Sequence, residues 1–417
     1  MIDFSRDGRV NITYNSRQAS CQTPDNKIIP MKDVKLKKTK RLLSGHLWVF
    51  SNEIASRLSG YEPGEMVNLL DRQGNFLGRG YINPRSLITI RLLTRRKQEI
   101  NRRFLTERIS DAIKYREDVL GDTSSCRLVF GEADLLPGII VDKYNDLLAV
   151  QLLTAGAERL KDKVIDVLAR LLNPSAVVMR NDSAFRTIEG LPEEKYVAMG
   201  EVKEMPLIRE GDSRILVDVL EGQKTGFFLD QRENRLAFST LVKGGTGLDL
   251  FSYSGAWAVH IARKGARVIA VDSSSRAVEM ISRNAAINGL SERIEPVCAD
   301  VFDFLDAERS EGRRYDFIVL DPPAFVKSKA NLKQAIRGYR AINANAVAIL
   351  KRGGFLATSS CSHHLTLEAF LEVIQYAARV NQRYLRIVEL RSQGRDHPVL
   401  ATMPETRYLK CAFIQVI

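Results

Sequence analysis

The sequence predicts an α/β protein in which a Rossmann-like open parallel sheet follows a small β-barrel and an α+β middle domain. Three observations predict it. From residue 216 to residue 417, apolar runs of strand length alternate with helical stretches, the pattern of a parallel sheet with right-handed crossovers. Residues 31–98 carry short apolar runs broken by glycine turns, as a small barrel or meander does. The chain has 417 residues, enough for about two to three domains. An apolar content of 45% with 27% charged residues excludes the disordered, collagen-like and disulfide-rich classes.

Taken in order, residues 1–30 are polar, show no sustained periodicity and are expected to form a disordered extension. In the barrel, residues 67–70, 76–81 and 87–93 read as strands, with a turn over 71–75 between the first two. Trp48 and Phe50 either pack inside the barrel or stack on bases. The middle domain, 99–215, opens with a helix over 100–119. Strands at 139–142 and 147–153, an amphipathic helix over 155–172 and a strand at 176–179 follow. The last domain, 216–417, is expected to hold strands at 247–251, 268–272, 294–297, 317–321 and 355–358, with further candidates at 387–390 and 408–416. Its helices are expected from Gly255, over 275–288, near 301–307 and over 335–350.

The formal net charge is +12, and it is unevenly placed: residues 32–108 hold 17 lysines and arginines against 7 acids. So concentrated a field attracts polyanions, which makes nucleic acid the expected partner. Lys37, Lys38, Lys40, Arg41 and Trp48 are the candidate RNA contacts of the barrel, and a merely solvated basic surface is the plainer alternative. The five cysteines, at 21, 126, 298, 361 and 411, contain no C-x-x-C pair, and the five histidines no H-E-x-x-H. No metal is expected, and a reduced cytoplasmic setting fits these thiols. No apolar run reaches the ~18 residues of a membrane span, so no membrane partner is expected.

In an open parallel sheet, ligands sit beyond the carboxyl ends of the strands. Four such ends carry suitable residues. Asp249-Leu250-Phe251-Ser252-Tyr253-Ser254-Gly255 turns a strand into a helix, and a glycine there lets the backbone approach a ligand. Only Gly255 remains of the G-x-G-x-x-G pattern, which weakens a dinucleotide reading. Asp272, with Ser273 after it, ends the next strand 17 positions after Gly255. An acid there accepts ribose hydroxyls or caps a helix. Asp300-Val301 offers an acceptor for an adenine amino group, or again a cap. Asp321-Pro322-Pro323-Ala324-Phe325 forms a stiff turn able to hold a carboxylate and an aromatic ring against a planar base, with Pro323 and Phe325 towards RNA. Glycine turn, ribose acid, adenine acid and acidic proline turn, in this order, point to a class I S-adenosylmethionine methyltransferase. Cys361, within Ser359-Ser360-Cys361-Ser362, ends the following strand. A thiolate there can add to C6 of a cytosine and make C5 nucleophilic enough to take a methyl group. His363 and His364 either assist or belong to a solvated turn.

These stretches occur with GHLWVFS at 45–51, GEADLLPG at 131–138, GQKTGFFLDQR at 222–232, SCS at 360–362 and DHP at 396–398. Together they resemble the bacterial 23S ribosomal RNA 5-methylcytosine methyltransferases of the RlmI type, over residues 31–417. The resemblance implies a PUA-type RNA-binding barrel at 31–98, a middle domain lying near RNA and a methyltransferase domain at 216–417. It implies that Lys224 and Gln231 line the cofactor site. Phe251, Ser254, Asp272, Asp300 and Asp321 would bind S-adenosylmethionine, with Ser252, Tyr253, Gly255, Ser273 and Val301 on the same turns. Cys361 would be the nucleophile and 23S ribosomal RNA the substrate; with Ala324-Phe325 and no second cysteine beside the proline turn, Asp321 or ordered water is expected to assist proton removal from C5. Guanine-N2 and adenine-N6 RNA methyltransferases also use an acidic proline turn and stay open as alternatives, as does a non-catalytic RNA-binding assembly factor. A homodimer through the barrel or middle domain stays open too.

Overall fold

The computed structural model describes residues 31–325 and 331–417, so the expectation for 1–30 lies outside the described residues. The barrel sheet has five strands in the order Lys32–Lys35, Glu65–Leu70, Phe76–Ile82, Ile90–Thr94 and Trp48–Val49. Alternating inward residues such as Val67 and Leu69 bury its core. Gly80 is required in the third of these strands, because a Cβ there would fall 2.2 Å from the Arg91 carbonyl oxygen. The strand expected over 87–93 starts only at Ile90. Before it, Thr89 Oγ1 bonds the Ser86 carbonyl at 2.9 Å in a turn, which leaves Leu87 exposed.

The middle sheet runs Glu194–Gly200, Ala176–Asn181, Leu147–Leu152, Ile139–Tyr144 and Ser125–Phe130. Helices Arg102–Val119 and Lys161–Leu172 pack on it around one apolar core. The helix expected over 155–172 is split into Ala155–Arg159 and Lys161–Leu172. At the joint the Leu160 amide bonds the Ala157 carbonyl, three residues back, and its side chain turns into the core. Tyr81 docks the barrel here: its hydroxyl donates to the Pro137 carbonyl at 2.8 Å, and its ring lies where a Cβ on Gly156 would stand.

The third sheet has seven strands: β1 (Thr246–Leu250), β2 (Arg267–Asp272), β3 (Ile294–Cys298), β4 (Tyr315–Leu320), β5 (Leu350–Ser360), β6 (Leu385–Arg391) and β7 (Lys410–Val416). Their order is β3-β2-β1-β4-β5-β7-β6, parallel from β3 to β5, with β7 antiparallel to both β5 and β6. Helices α1 (Arg232–Leu241), α2 (Ala256–Ala262), α3 (Ser275–Ile287), α4 (Val301–Ser310), α5 (Leu332–Ile349) and α6 (Leu367–Val380) flank it. Separate apolar cores fill its two faces. The strand order reverses between β1 and β4, and the crevice opens there. No helix among the described residues is long and apolar enough to cross a membrane.

The loop between β6 and β7 returns across the other two domains. The Arg127 amide donates to Asp396 Oδ2 at 3.0 Å, and the Arg116 guanidinium to the Asp396 carbonyl at 2.8 Å. Further on, Thr402 Oγ1 bonds the Gly45 carbonyl at 3.0 Å, and Met403 is buried in the core of the barrel.

Candidate active site

The carboxyl ends of β1, β2 and β4, with the turn after β5, line an open cleft. Its wall brings together Lys224, Gln231, Phe251, Ser252, Tyr253, Ser254, Asp272, Ser273, Asp321, Pro323 and Cys361. The turn after β1 explains how one glycine suffices. Phe251, Tyr253 and Gly255 all take positive φ, at 60°, 52° and 76°. For the two aromatic residues that conformation costs on the order of 1 kcal/mol each. The surroundings hold it: the Tyr253 amide donates to Asp272 Oδ2 at 3.0 Å, and its hydroxyl donates to the Gly226 carbonyl at 2.9 Å. The other oxygen of Asp272 takes the Ser274 amide at 3.0 Å. The carboxylate is thereby fixed at the tip of β2, half-buried on the cleft wall.

Gly255, Asp300 and Val301 do not reach this wall. Gly255 starts α2, closely backed by Ile281. Asp300 is exposed and caps α4, its Oδ1 accepting the amides of Phe302 at 2.8 Å and Asp303 at 3.2 Å. Val301 is buried in the core beneath. Phe325 also departs from expectation. Its ring packs against Tyr339, Phe302 and Phe251, with centroids 4.7, 6.1 and 6.4 Å away, so it is spent on the protein interior rather than offered to a base.

Asp321 is held at both oxygens. Gln231 Nε2 donates to Oδ1 at 2.9 Å and Trp257 Nε1 to Oδ2 at 3.2 Å. Burial raises its pKa, against the pull of these two donors. Gln231 also donates to Ser359 Oγ at 3.2 Å and accepts from Asn234 at 2.7 Å, so its amide orients Asp321. Lys224 lies 4.5 Å from the centre of the Phe228 ring and 3.4 Å from Asp230 Oδ2. The Tyr408 hydroxyl donates to the same oxygen at 2.5 Å. Burial works against the Asp230 carboxylate, yet Lys224 and its other partners hold it well below the usual range. The segment carrying Lys224 is anchored from the middle domain: Thr225 Oγ1 donates to Asp142 Oδ2 at 2.5 Å, and Arg127 grips Asp142 through two bonds of 2.8 and 2.7 Å.

Sequence reasoning missed Trp257 and Asn234, and gave no role of their own to Asp230 and Asp249, which it quoted within longer motifs. Asp249 lies inside β1, fully buried, with Oδ2 accepting from Ser252 Oγ at 2.6 Å and the Ala258 amide at 3.0 Å. Its Oδ1, away from the cleft wall, and the Ser254 hydroxyl, on it, are buried without a partner among the described residues, and only the hydroxyl is placed to meet a polar ligand. Burial lifts the Asp249 carboxyl to about 7. A carboxyl raised on folding binds more protons in the folded state, so its contribution to stability falls as pH rises from about 4 to about 7. Asp249→Asn, which imitates the protonated form, is expected to raise the melting temperature at pH 8 by a few degrees and to change it little below about pH 4. Melting curves at the two pH values check this, and an equal shift at both would mean the carboxyl is not the source.

Cys361 is half-buried at the end of β5, where burial raises its thiol pKa and the Lys224 charge opposes that. Cys298, at the end of β3, is off the wall, so Cys361 is the one thiol facing the cleft among the described residues.

The chain is similar to known proteins over most of its length. Residues 33–95 match a family model described as a PUA-like domain, and residues 245–327 one described as RNA cap guanine-N2 methyltransferase. Ribosomal RNA large subunit methyltransferase I of Shewanella denitrificans is 40% identical over 387 residues, covering 90% of this chain and 97% of that one. Its Escherichia coli counterpart is 39% identical over 377 residues, covering 89% and 95%. The chain belongs to the ribosomal RNA large subunit methyltransferase I family. Among solved structures, a protein of Streptococcus mutans assigned as a SAM-dependent methyltransferase has the same fold. Its TM-score is 0.80 at 22% identity, over 93% of this chain and all of that one. A second structure with the same scores is a methyltransferase complexed with SAH. The expected cofactor of the family, S-adenosylmethionine, agrees with that ligand.

On the family's PUA-like domain, Lys37, Lys38, Lys40 and Arg41 are all exposed, and the last three rim a shallow depression with Asn52 and Glu53. Arg41 stacks over Phe50 at 4.5 Å. Trp48 is not free for a base in the same way, because its Nε1 donates to Glu132 Oε1 of the middle domain at 2.9 Å. Replacing Lys38, Lys40 and Arg41 together by glutamine is expected to weaken RNA binding about tenfold or more at moderate salt and to lower the salt slope by roughly two. Filter binding across a salt series measures both, and an unchanged slope would place the phosphate contacts elsewhere.

Proposed function

We propose that this protein transfers a methyl group from S-adenosylmethionine to C5 of a cytosine in 23S ribosomal RNA, with Cys361 as nucleophile. The observation that carries the reading is the meeting of Cys361 and Asp321 on one cleft wall with the strand-end acid Asp272. Asp272 would hold the ribose hydroxyls of the cofactor, and the strained turn 251–254 its amino-acid end. The cofactor supplies an electrophilic methyl group on a sulfonium. The Cys361 thiolate adds to C6 of the base, forming a C–S bond and turning C5 into an enamine-like carbon. Once C5 is methylated it loses its proton, the C–S bond breaks, and the thiolate returns. With Ala324-Phe325 rather than a cysteine beside the proline turn, the proton passes to Asp321 or to water next to it. The raised pKa of Asp321 suits a transient acceptor.

A second reading, methylation of a guanine amino group, is favoured by the guanine-N2 family model. That match ends at residue 327, short of Cys361, and so covers the half of the site that both chemistries share. The deciding test is transfer from labelled S-adenosylmethionine to unmodified 23S RNA, followed by nucleoside analysis. Label is expected in 5-methylcytidine. Label in a guanosine or adenosine derivative would overturn the C5 reading.

A further inference from the structure

Asp230 is 3% exposed and lines the cleft together with Cys361 and Leu409. It sits in the turn Leu229–Gln231 that leads into α1, and its backbone is clamped there by the Gly394 amide, which donates to its carbonyl at 2.9 Å. One side-chain oxygen is fully used. Oδ2 takes the Tyr408 hydroxyl at 2.5 Å and the Lys224 ammonium at 3.4 Å. The other, Oδ1, is buried with no partner among the described residues. An acceptor left so is costly, and on a ligand-facing wall it marks where a donor arrives with the ligand. The fold says which ligand. Phe251 to Ser254 and Asp272 shape the cofactor half, at the ends of β1 and β2. Asp230 is held from the other half. Its partner Tyr408 lies just before β7, where Lys410 pairs with Ser360 of β5. Leu409 and Cys361 are the next residues out from that pair, and both line the cleft. Gln231, the residue after Asp230, donates to Ser359 Oγ of β5 at 3.2 Å. Asp230 therefore stands at the β5–β7 end of the cleft, where a base that meets the Cys361 thiol must lie.

We propose that Asp230 is a specificity-determining residue: its Oδ1 accepts a hydrogen bond from the 4-amino group of the target cytosine and so selects cytosine over uracil. This rests on the reading of the protein as a cytosine C5 methyltransferase. An ionised carboxylate accepts and cannot donate. Burial works against that form in Asp230, but Lys224, His397 and Tyr408 hold it well below the usual carboxylate range. On cytosine the group at C4 is a donor. Uracil carries a carbonyl oxygen there, and two acceptors would face each other in a dry site. C4 is bonded to C5, so the same contact orients the carbon that takes the methyl group. Asp321 is already supplied by the protein, with Gln231 on one oxygen and Trp257 on the other.

The test compares bases rather than overall activity. The wild-type product first maps the methylated nucleotide. Transcripts of 23S RNA with cytidine or uridine at that position are then assayed for kcat/KM with wild type, Asp230→Ala and Asp230→Asn, and S-adenosylmethionine affinity is titrated for each protein. Wild type is expected to prefer cytidine by about 10³-fold or more. Asp230→Ala is expected to lose about 100-fold on cytidine and to narrow the preference to within about tenfold, with cofactor affinity within about twofold of wild type. Asp230→Asn keeps the size of the side chain and is expected to narrow the preference as well, since its amide can donate to the uracil oxygen. An unchanged preference in either variant overturns the proposal. Lost cofactor affinity with the preference intact also overturns it, and assigns Oδ1 to the ammonium of S-adenosylmethionine. One result needs no variant: wild type that methylates the uridine transcript as fast as the cytidine one overturns the proposal even if neither variant folds. Failure of the methylation reading shows separately, as wild-type label in a purine, whereas failure of this proposal alone leaves 5-methylcytidine as the product.

Discussion

Cys361→Ala is expected to lower methyl transfer to 23S RNA by on the order of 10³-fold or more, with S-adenosylmethionine affinity within about twofold of wild type. The split follows from the layout of the cleft. The turn after β1 and Asp272 lie on strands other than β5, so removing one sulfur atom leaves them in place. On the proposed reading, cytosine C5 is too weak a nucleophile to take the methyl group without addition at C6, and no other thiol faces the cleft among the described residues. Cys361→Ser should fail almost as completely, since an alkoxide is far harder to form than a thiolate at neutral pH. Single-turnover assays with titrated cofactor binding separate the two quantities. Substantial transfer by Cys361→Ala would point to an amino group of the base as acceptor.

The largest expected effect on stability comes from Asp142→Ala. Asp142 is fully buried and takes two bonds from Arg127 and one from Thr225. Its removal leaves the Arg127 guanidinium buried without a partner, which costs about 3–5 kcal/mol. Denaturant unfolding measures the loss, and a change below about 1 kcal/mol would mean that Arg127 finds another anion. A functional consequence accompanies it. Thr225 carries Asp142's hold into the segment that presents Lys224 and Gln231, so cofactor affinity should fall as well. Thr225→Val, which removes only that link, should reproduce part of the affinity loss with a smaller loss of stability.

The parts of this molecule legible in the sequence are those that depend on local pattern. The strands of the third sheet read as apolar runs because both of its faces are covered, and the acids at their ends mark the ligand side. Asp272, Asp321 and Cys361 were legible for that reason. Helix α1 was not, because its buried face includes Asn234, Arg235 and Ser239, which do not register as an apolar stripe. The strand Glu194–Gly200 was missed because it is a half-buried edge whose apolar run, Tyr196 to Met199, is short and interrupted by a bulge between Val197 and Met199, so it shows no clean alternation. In the site, the partners of Asp321 lie 90 and 64 positions away in the chain, at Gln231 and Trp257, and no spacing rule connects them. Phe325 misled for the complementary reason: an aromatic residue after a proline turn reads as a stacking platform until Phe251, Phe302 and Tyr339 are seen around it.

The loop from β6 back across the barrel sets an order of manufacture. The barrel is made about 300 residues before Met403, which fills part of its core, and Thr402, which fastens it. Asp396 and Tyr408, which tie the middle domain and Asp230 to the rest, also come late. A nascent chain therefore holds its barrel unfinished until residues 402 and 403 have been added.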